Sequence, residues 1–321
     1  MTPRRHYGAA LASPQASVAT NQAPTPPDTP PRRRARLRRG PLVIGEPAVT
    51  VRPKLAAGDP YRPDSILDGG SVFDLTVRAA SVRGLGKRWG GGPRQDDLCL
   101  GCHEPTRTLI AAVADGVSGA PRSDLAAALA VRHAVAAVTR QLDDTAVVTD
   151  WKEVFGQAAW GLVEEHRRAS GDSQAGVEAA APTLSTTLLV ATVSSPTDGR
   201  ARVRLASVGD SCAFLLRDGR YRALVGDQEV AGELIGGSVR ALPRGARNVR
   251  EAECELHQSG VLLLGTDGFA LPLAGGAGDV GATFARELSR PPDILDFARL
   301  LDFSRSTYDD DRSLIAVWAH L

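Results

Sequence analysis

From Leu75 onward the chain alternates between short apolar runs and longer stretches in which apolar residues recur every three or four positions. The short runs, β-branched or alternating with period two, predict strands at Leu75 to Val82, Thr108 to Ala114, Ser185 to Val193, Ala201 to Val208, Ala213 to Leu216, Val261 to Gly265 and Ser313 to Trp318. Between them, Ser123 to about Arg140 carries Leu125, Leu129, Val135 and Val138 at near-helical spacing, with Ser123-Asp124 as the expected N-cap. Trp151 to Arg168 sets Val154, Phe155, Ala158, Leu162 and Val163 on one face and Glu164, Glu165, Arg167 and Arg168 outside it, and Phe155 and Trp160 read as core residues. A third helix is expected around Asp293 to Leu301.

The strands come as hairpins. Ala201 to Val208 and Ala213 to Leu216 bracket Gly209-Asp210-Ser211, and Arg217-Asp218-Gly219-Arg220 has the Asp-Gly signature of a tight turn. Such an order predicts an α+β fold of antiparallel sheets with helices packed outside them, in preference to a doubly wound parallel sheet. No repeat at a solenoid period is visible.

Composition divides the 321 residues into two parts. Residues 1 to 60 hold 11 of the 21 prolines and 10 Lys/Arg against 3 Asp/Glu, a local charge of +7, so the remainder carries −6. Residues 1–70 are therefore expected to be a disordered, basic Pro/Arg-rich tail, and 71–321 the folded domain. The run from Arg32 to Arg39 has the chemistry to touch nucleic acid, anionic lipid or an acidic partner, but a solvated, functionless tail is the preferred reading, and nucleic acid is not an expected partner of the folded domain. Arg4-Arg5 is followed by no apolar segment of an export signal, and no apolar run approaches the ~18 residues that a membrane span needs. A cytoplasmic protein is expected.

Cys99, Cys102, Cys212 and Cys254 are too few and scattered for a disulfide framework. Cys99-Leu100-Gly101-Cys102-His103 has the spacing that attaches c-type haem, yet there is no export route for that attachment and Met1 is the only methionine. The segment reads better as two buried small hydrophobes beside a turn histidine, between two strand-like runs. A zinc site lacks a second close pair.

Three acidic clusters carry the chemistry: Ala114-Asp115-Gly116, Thr266-Asp267-Gly268 and Asp309-Asp310-Asp311. A lone Asp-Gly is a common turn, and Asp59-Pro60, Asp68-Gly69, Asp198-Gly199 and Asp218-Gly219 are expected to be turns of that kind. Asp115 and Asp267 differ because each ends an apolar run, Leu109 to Val113 and Val261 to Leu264. A buried strand that ends in an acid leaves a charge needing compensation, which a divalent cation supplies. Mg²⁺ and Mn²⁺ prefer such oxygen ligands, and two ions about 3.5 to 4 Å apart share a bridging water and stabilise in-line displacement at phosphorus. Glycine after Asp115 would let its carbonyl approach a metal.

Taken in order, Gln95-Asp96-Asp97, Ala114-Asp115-Gly116-Val117-Ser118-Gly119, Ser185-Thr186-Thr187-Leu188, Val208-Gly209-Asp210-Ser211, Thr266-Asp267-Gly268 and Asp310-Asp311-Arg312-Ser313 resemble the motifs of the PPM family, the type 2C protein serine/threonine phosphatases. The resemblance runs from about residue 75 to the C-terminus. It implies a four-layer α-β-β-α sandwich of two antiparallel sheets, two Mg²⁺ or Mn²⁺ ions in a cleft at one end, and direct hydrolysis of phosphoserine and phosphothreonine by a metal-bridging water. Asp115 resembles the bridging ligand, with the Gly116 carbonyl on one ion. Asp267 and Asp310 resemble the other carboxylates, and Asp210 the acid that helps to hold a third, weaker ion in bacterial members. The family's Glu-Asp falls on Gln95-Asp96 or Asp96-Asp97, and Asp96 belongs to both registers. Asp96, Asp115 and Asp267 are the catalytic acids so implied, phosphorylated proteins the substrates, and a Ser/Thr kinase pathway the setting.

The family's phosphate-binding arginine has no counterpart at its usual place, where Gly91 or Gly92 stands, so Lys87, Arg88 or Arg94 must reach the phosphate. Val117 occupies the region where some members carry a general-acid histidine, and the short interval from Asp210 to Asp267 implies a trimmed flap, with Gly236-Gly237 as its remnant. A second reading is a pseudophosphatase, the same fold kept as a binding or regulatory module.

Overall fold

In the computed structural model, which describes residues 41–56, 62–195, 200–226 and 241–320, the apolar runs form two antiparallel sheets. The strands are β1 (Ser65–Val72), β2 (Leu75–Val82), β3 (Asp97–His103), β4 (Thr108–Ala114), β5 (Leu188–Ser194), β6 (Ala201–Val208), β7 (Cys212–Arg217), β8 (Arg220–Val225), β9 (Arg250–Leu256), β10 (Gly260–Gly265) and β11 (Arg312–Ala319). One sheet has the order β1-β2-β11-β10-β7-β8 and the other β3-β4-β5-β6-β9.

The period of two sorts each central strand into two cores. In β4, Leu109, Ala111 and Val113 join the layer between the sheets, where they meet Leu189, Ala191, Leu262, Leu264 and Ile315. Ile110, Ala112 and Ala114 face the other way, onto helices α2 (Ser123–Asp144) and α3 (Trp151–Ser170). The second sheet repeats the arrangement, with Val261, Leu263, Leu314 and Ala316 under Phe269, Phe284 and Phe297. Four layers result, as the resemblance implied. Each of those phenylalanines is fully buried and contributes about 1.5 to 3 kcal/mol.

Local signals explain the helices. α2 draws on seven alanines, the best helix former, whose small side chains bring it close to β3 and β4. α3 starts at Asp150, whose side chain accepts from Glu153 N at 3.0 Å, and stops at left-handed Gly171. Two expectations fail here. Ser123 does not cap α2, because it is the first helical residue and its hydroxyl accepts from Gln95 Nε2 instead. Trp160 is no core residue; it lies half exposed with its edge against His133.

The strands absent from the pattern-based prediction, β1, β3, β8 and β9, are the four sheet edges. An edge is half exposed and carries charges and glycines, so its apolar signal is weak. Asp68-Gly69 accordingly lies within β1 and is not a turn, whereas Asp218-Gly219 is the two-residue turn joining β7 to β8. Cys99 to His103 is likewise part of β3, followed by the turn; Cys102 is exposed, Cys99 half-buried, and His103 bonds Thr106 and Asp143 through its two ring nitrogens. Helices α1 (Leu85–Gly90), α4 (Val177–Ala180), α5 (Asp267–Leu273) and α6 (Gly278–Glu287) were also unforeseen, while α7 (Ile294–Leu301) follows the expectation at Asp293 to Leu301.

The ordered body begins before residue 71. Pro41–Ala56 runs as an extended strap along 304–306, with Ile44 N donating to Ser304 O at 3.2 Å and Ser306 N to Glu46 O at 2.8 Å, and Ile44 buried in the core beneath the outer helices. Further on, Lys54 N donates to Arg88 O at 2.8 Å. Residues 1–40 and the expected turns at 59–60 and 198–199 lie outside the described residues, as does Gly236-Gly237. Among the described residues no helix is long and apolar enough to cross a membrane.

Candidate active site

Antiparallel register brings several strand ends to one margin. Asp97 pairs with Ala114, Leu188 with Val208, Gly265 with both Cys212 and Leu314, and Arg312 with Val82. The residues just beyond those ends are Asp96, Asp115, Asp210, Asp267 and Asp311.

Asp96 is buried, and its Oδ2 accepts from Thr266 Oγ1 and Ser313 Oγ, each at 2.8 Å. Burial first, then the Asp311 charge, holds its pKa well above the usual carboxylate range. Asp97 points elsewhere, into an ion pair with Arg62 at 2.8 Å, so that of the two it is Asp96 that faces the cluster. Asp115 is fixed through its backbone: its N donates to Thr187 Oγ1 at 3.0 Å, and its carbonyl accepts from Thr187 N and Thr186 Oγ1, both at 2.8 Å. Its carboxyl is likewise raised well above the usual range by burial and then by the Asp96 and Asp267 charges. Asp267 opens α5, with its pKa raised to about 6 by burial and the Asp210 charge.

Two glycines are required by space. A Cβ on Gly116 would lie 2.5 Å from Ser123 O, and one on Gly268 would strike the carbonyl of Asp311. Gly116 thus wedges between α2 and the Gln95 turn, and Gly268 lets α5 start against the last acidic run.

That run divides its work. Asp310 is exposed and adds its charge to that felt by Asp267. Asp311 is buried, accepting from Gly84 N and Gln95 N, each at 2.6 Å, so it ties the α1 loop and the Asp96 turn to β11. Sequence reasoning assigned no role to this second aspartate, nor to the hydroxyls of Thr186, Thr187, Thr266 and Ser313. Only their place inside quoted motifs marked them.

The arrangement concentrates carboxylates beyond what local donors satisfy. Asp115 and Asp267 share a hydrogen bond, and among the described residues the buried Oδ1 of Asp210 has no partner. Among the described residues no three His, Cys, Asp or Glu side chains, as they stand, form a group that could hold a metal ion. An all-oxygen cluster with raised pKa values and an unsatisfied carboxylate oxygen fits a hard divalent cation, which would replace the shared proton.

A protein phosphatase 2C family model matches residues 83–309. The chain belongs to the protein phosphatase 2C family. Solved structures carry the same fold at low identity: the serine/threonine phosphatase PstP/Ppp of Mycobacterium tuberculosis (18% identity, 77% of this chain and 99% of that one, TM-score 0.52) and a phosphatase from Toxoplasma gondii (16%, 80% and 96%, TM-score 0.50). The catalytic domain of PstP in complex with two manganese ions is 20% identical over 76% of this chain and 97% of that one, with a TM-score of 0.49. No curated protein matches the chain.

Within this phosphatase 2C fold, two of the three expected phosphate ligands are otherwise engaged. Arg94 is 1% exposed; it donates to Ser81 Oγ at 2.9 Å and to the carbonyls of Asp96 and Pro63, so it holds the Asp96 turn from behind. Arg88 pairs with Asp302 at 2.7 Å and Asp64 at 2.9 Å. In this structure the donors of both are taken up by these structural contacts. Lys87 remains, its Nζ donating to Gln95 Oε1, close enough to Asp311 for its charge to be felt there. Sequence reasoning missed Arg250, whose guanidinium donates to Gly209 O and lowers the pKa that burial raises at Asp210.

Proposed function

We propose that the chain is a metal-dependent phosphoserine/phosphothreonine protein phosphatase, a phosphoric monoester hydrolase. The observation that carries this reading is the convergence of Asp96, Asp115, Asp210 and Asp267 at one sheet margin with fewer hydrogen-bond donors than their charges require. Asp96, Asp115, Asp267 and Asp310, with the Gly116 carbonyl, would hold two Mg²⁺ or Mn²⁺ ions, and Asp210 a third. When bound, such ions supply a water of lowered pKa and charge stabilisation for the phosphoryl oxygens.

The chain's own residues do the positioning. Thr266 and Ser313 fix the Asp96 carboxylate, and Thr186 and Thr187 fix the strand end that carries Asp115. Lys87 supplies a monodentate donor for the phosphate once it leaves Gln95. Val117 offers no proton beside Asp115, so the departing serine or threonine oxygen takes its proton from water. Phosphorylated proteins, placed there by a Ser/Thr kinase pathway in a cytoplasmic setting, are the substrates this reading implies.

The engagement of Arg88 and Arg94 favours one alternative, a pseudophosphatase that binds without turnover. Hydrolysis of a phosphothreonine peptide and an aryl phosphate, with Mn²⁺ or Mg²⁺, with EDTA and in Asp267→Asn, separates the two. We expect turnover that needs metal and falls by on the order of a thousandfold in the variant. Activity that persists in EDTA would sink the metal mechanism, and no turnover with either ion would favour the binding module.

A further inference from the structure

Beside the acidic margin the strap and α1 enclose two adjoining hollows, of about 220 and 480 Å³, that share Val49, Val51, Leu85 and Arg305 as walls. The first reaches Asp310 and the second Asp309. Gly86 N donates to Asp309 O at 2.9 Å, so α1 stands directly on the acidic run. The hollows thus adjoin the acidic run at Asp309 and Asp310.

This face carries more exposed apolar surface than folding explains. α1 has no buried residue, and Trp89 on it is 65% exposed; Val49 and Leu55 on the strap are 79% and 95% exposed. A tryptophan left outside the core is a common anchor for a partner. Residues 49–53 belong to no helix or strand, and among the described residues their backbone makes no hydrogen bond to the rest of the chain. Backbone groups so placed are open to pairing with an added extended segment.

Charge narrows the occupant. At the Trp89 end the wall is Thr50 to Lys54 and Trp89 itself, with two cations and no acid. Lys54 Nζ lies 5.7 Å from the Trp89 ring, and neither Lys54 nor Arg52 has an ion pair among the described residues. Arginines 62, 83, 88 and 94, by contrast, are all paired with aspartates.

We propose that Val49–Leu55 and α1 form a docking groove for the phosphoprotein substrate: an extended segment flanking the phosphorylated residue, with an apolar side chain against Val49 and Trp89 and an acidic one toward Arg52 and Lys54. The proposal rests on the phosphatase reading for its partner, but its test reads binding rather than turnover. Two fluorescein-labelled phosphothreonine peptides of equal length are compared by anisotropy in EDTA and in Mn²⁺, one with Leu and Glu on both flanks and one with Gly and Ser. The protein is the full chain, its Trp89→Ala and Val49→Asp variants, and the double variant Arg52→Glu, Lys54→Glu.

The wild type is expected to bind the Leu/Glu peptide about tenfold tighter, and each variant to lose that preference while keeping its affinity for the Gly/Ser peptide. Equal affinity of the wild type for both peptides overturns the groove, as does a preference that survives in all the variants. A dimer in sedimentation that dissociates in Trp89→Ala also overturns it, because the face then belongs to a second copy. Binding that depends on Trp89 without any turnover keeps the groove and rejects the hydrolase reading.

Discussion

At the acidic margin of the sandwich, carboxylates stand with fewer partners than their charge requires, whereas the arginines a few residues away have most of their donors consumed by carbonyls and aspartates. Asp96 and Arg94 make the contrast within three residues: both are 1% exposed, one facing the cluster and the other anchoring it from behind. Identical burial serves opposite ends. The acids are left underpaired, and the arginines hold them in place.

The largest expected effect that could break this contrast concerns Arg94. Replacing it by methionine removes the donors to Ser81 and the Asp96 and Pro63 carbonyls and leaves Asp97 with less compensation, a loss of about 3 kcal/mol in urea unfolding. Unchanged stability with a raised KM would instead return Arg94 to phosphate binding.

The acids should show the opposite sign. In an unfolded chain Asp267 would titrate near ~3.9, against about 6 in the fold. The folded state therefore binds the extra proton between those limits, and this group's stabilising effect is full below about pH 4 and lost as pH rises through about 6. Allowing for partial solvent screening, the change is about 2 kcal/mol, and Asp96 and Asp115, also raised, extend it upward. Metal-free protein should thus melt at lower temperature near neutral pH than at about pH 5, and Mn²⁺ should remove the difference. A melting temperature that rises with pH in EDTA would show that the carboxylates are not underpaired.

The smallest effect sharpens the phosphate side. Lys87→Met should raise KM for the phosphothreonine peptide about tenfold with unfolding little altered, since among the described residues Lys87 makes no ion pair. An unchanged KM would leave none of the three sequence-derived cations in contact with phosphate.

The legibility of the chain follows the same division. Central strands such as β4 and β10 and the long helices were readable because burial on two faces, or on one helical stripe, forces a periodic apolar pattern. The edge strands β1, β3, β8 and β9 were not, because only half of each is buried and the partner strand, not the side chains, defines them. Asp115 and Asp267 were readable for a related reason: an acid that closes an apolar run is conspicuous in one dimension. The cations were not, since Lys87, Arg88 and Arg94 look alike in sequence and differ only in what lies opposite them.

By itself the sequence determined the antiparallel α+β plan through periodicity and marked Asp115, Asp267 and the Asp309 to Asp311 run by their position at strand ends, while the four layers, Asp96 and Asp210 came from the order of the motifs and the family they resemble. Tertiary structure decided which acid of each cluster faces its neighbours, which basic residues are left free, and that the strap of residues 41–56 lies beside the site. Strand-end position is set by local pattern, whereas the pairing of a charge depends on partners as distant in sequence as Asp302 is from Arg88.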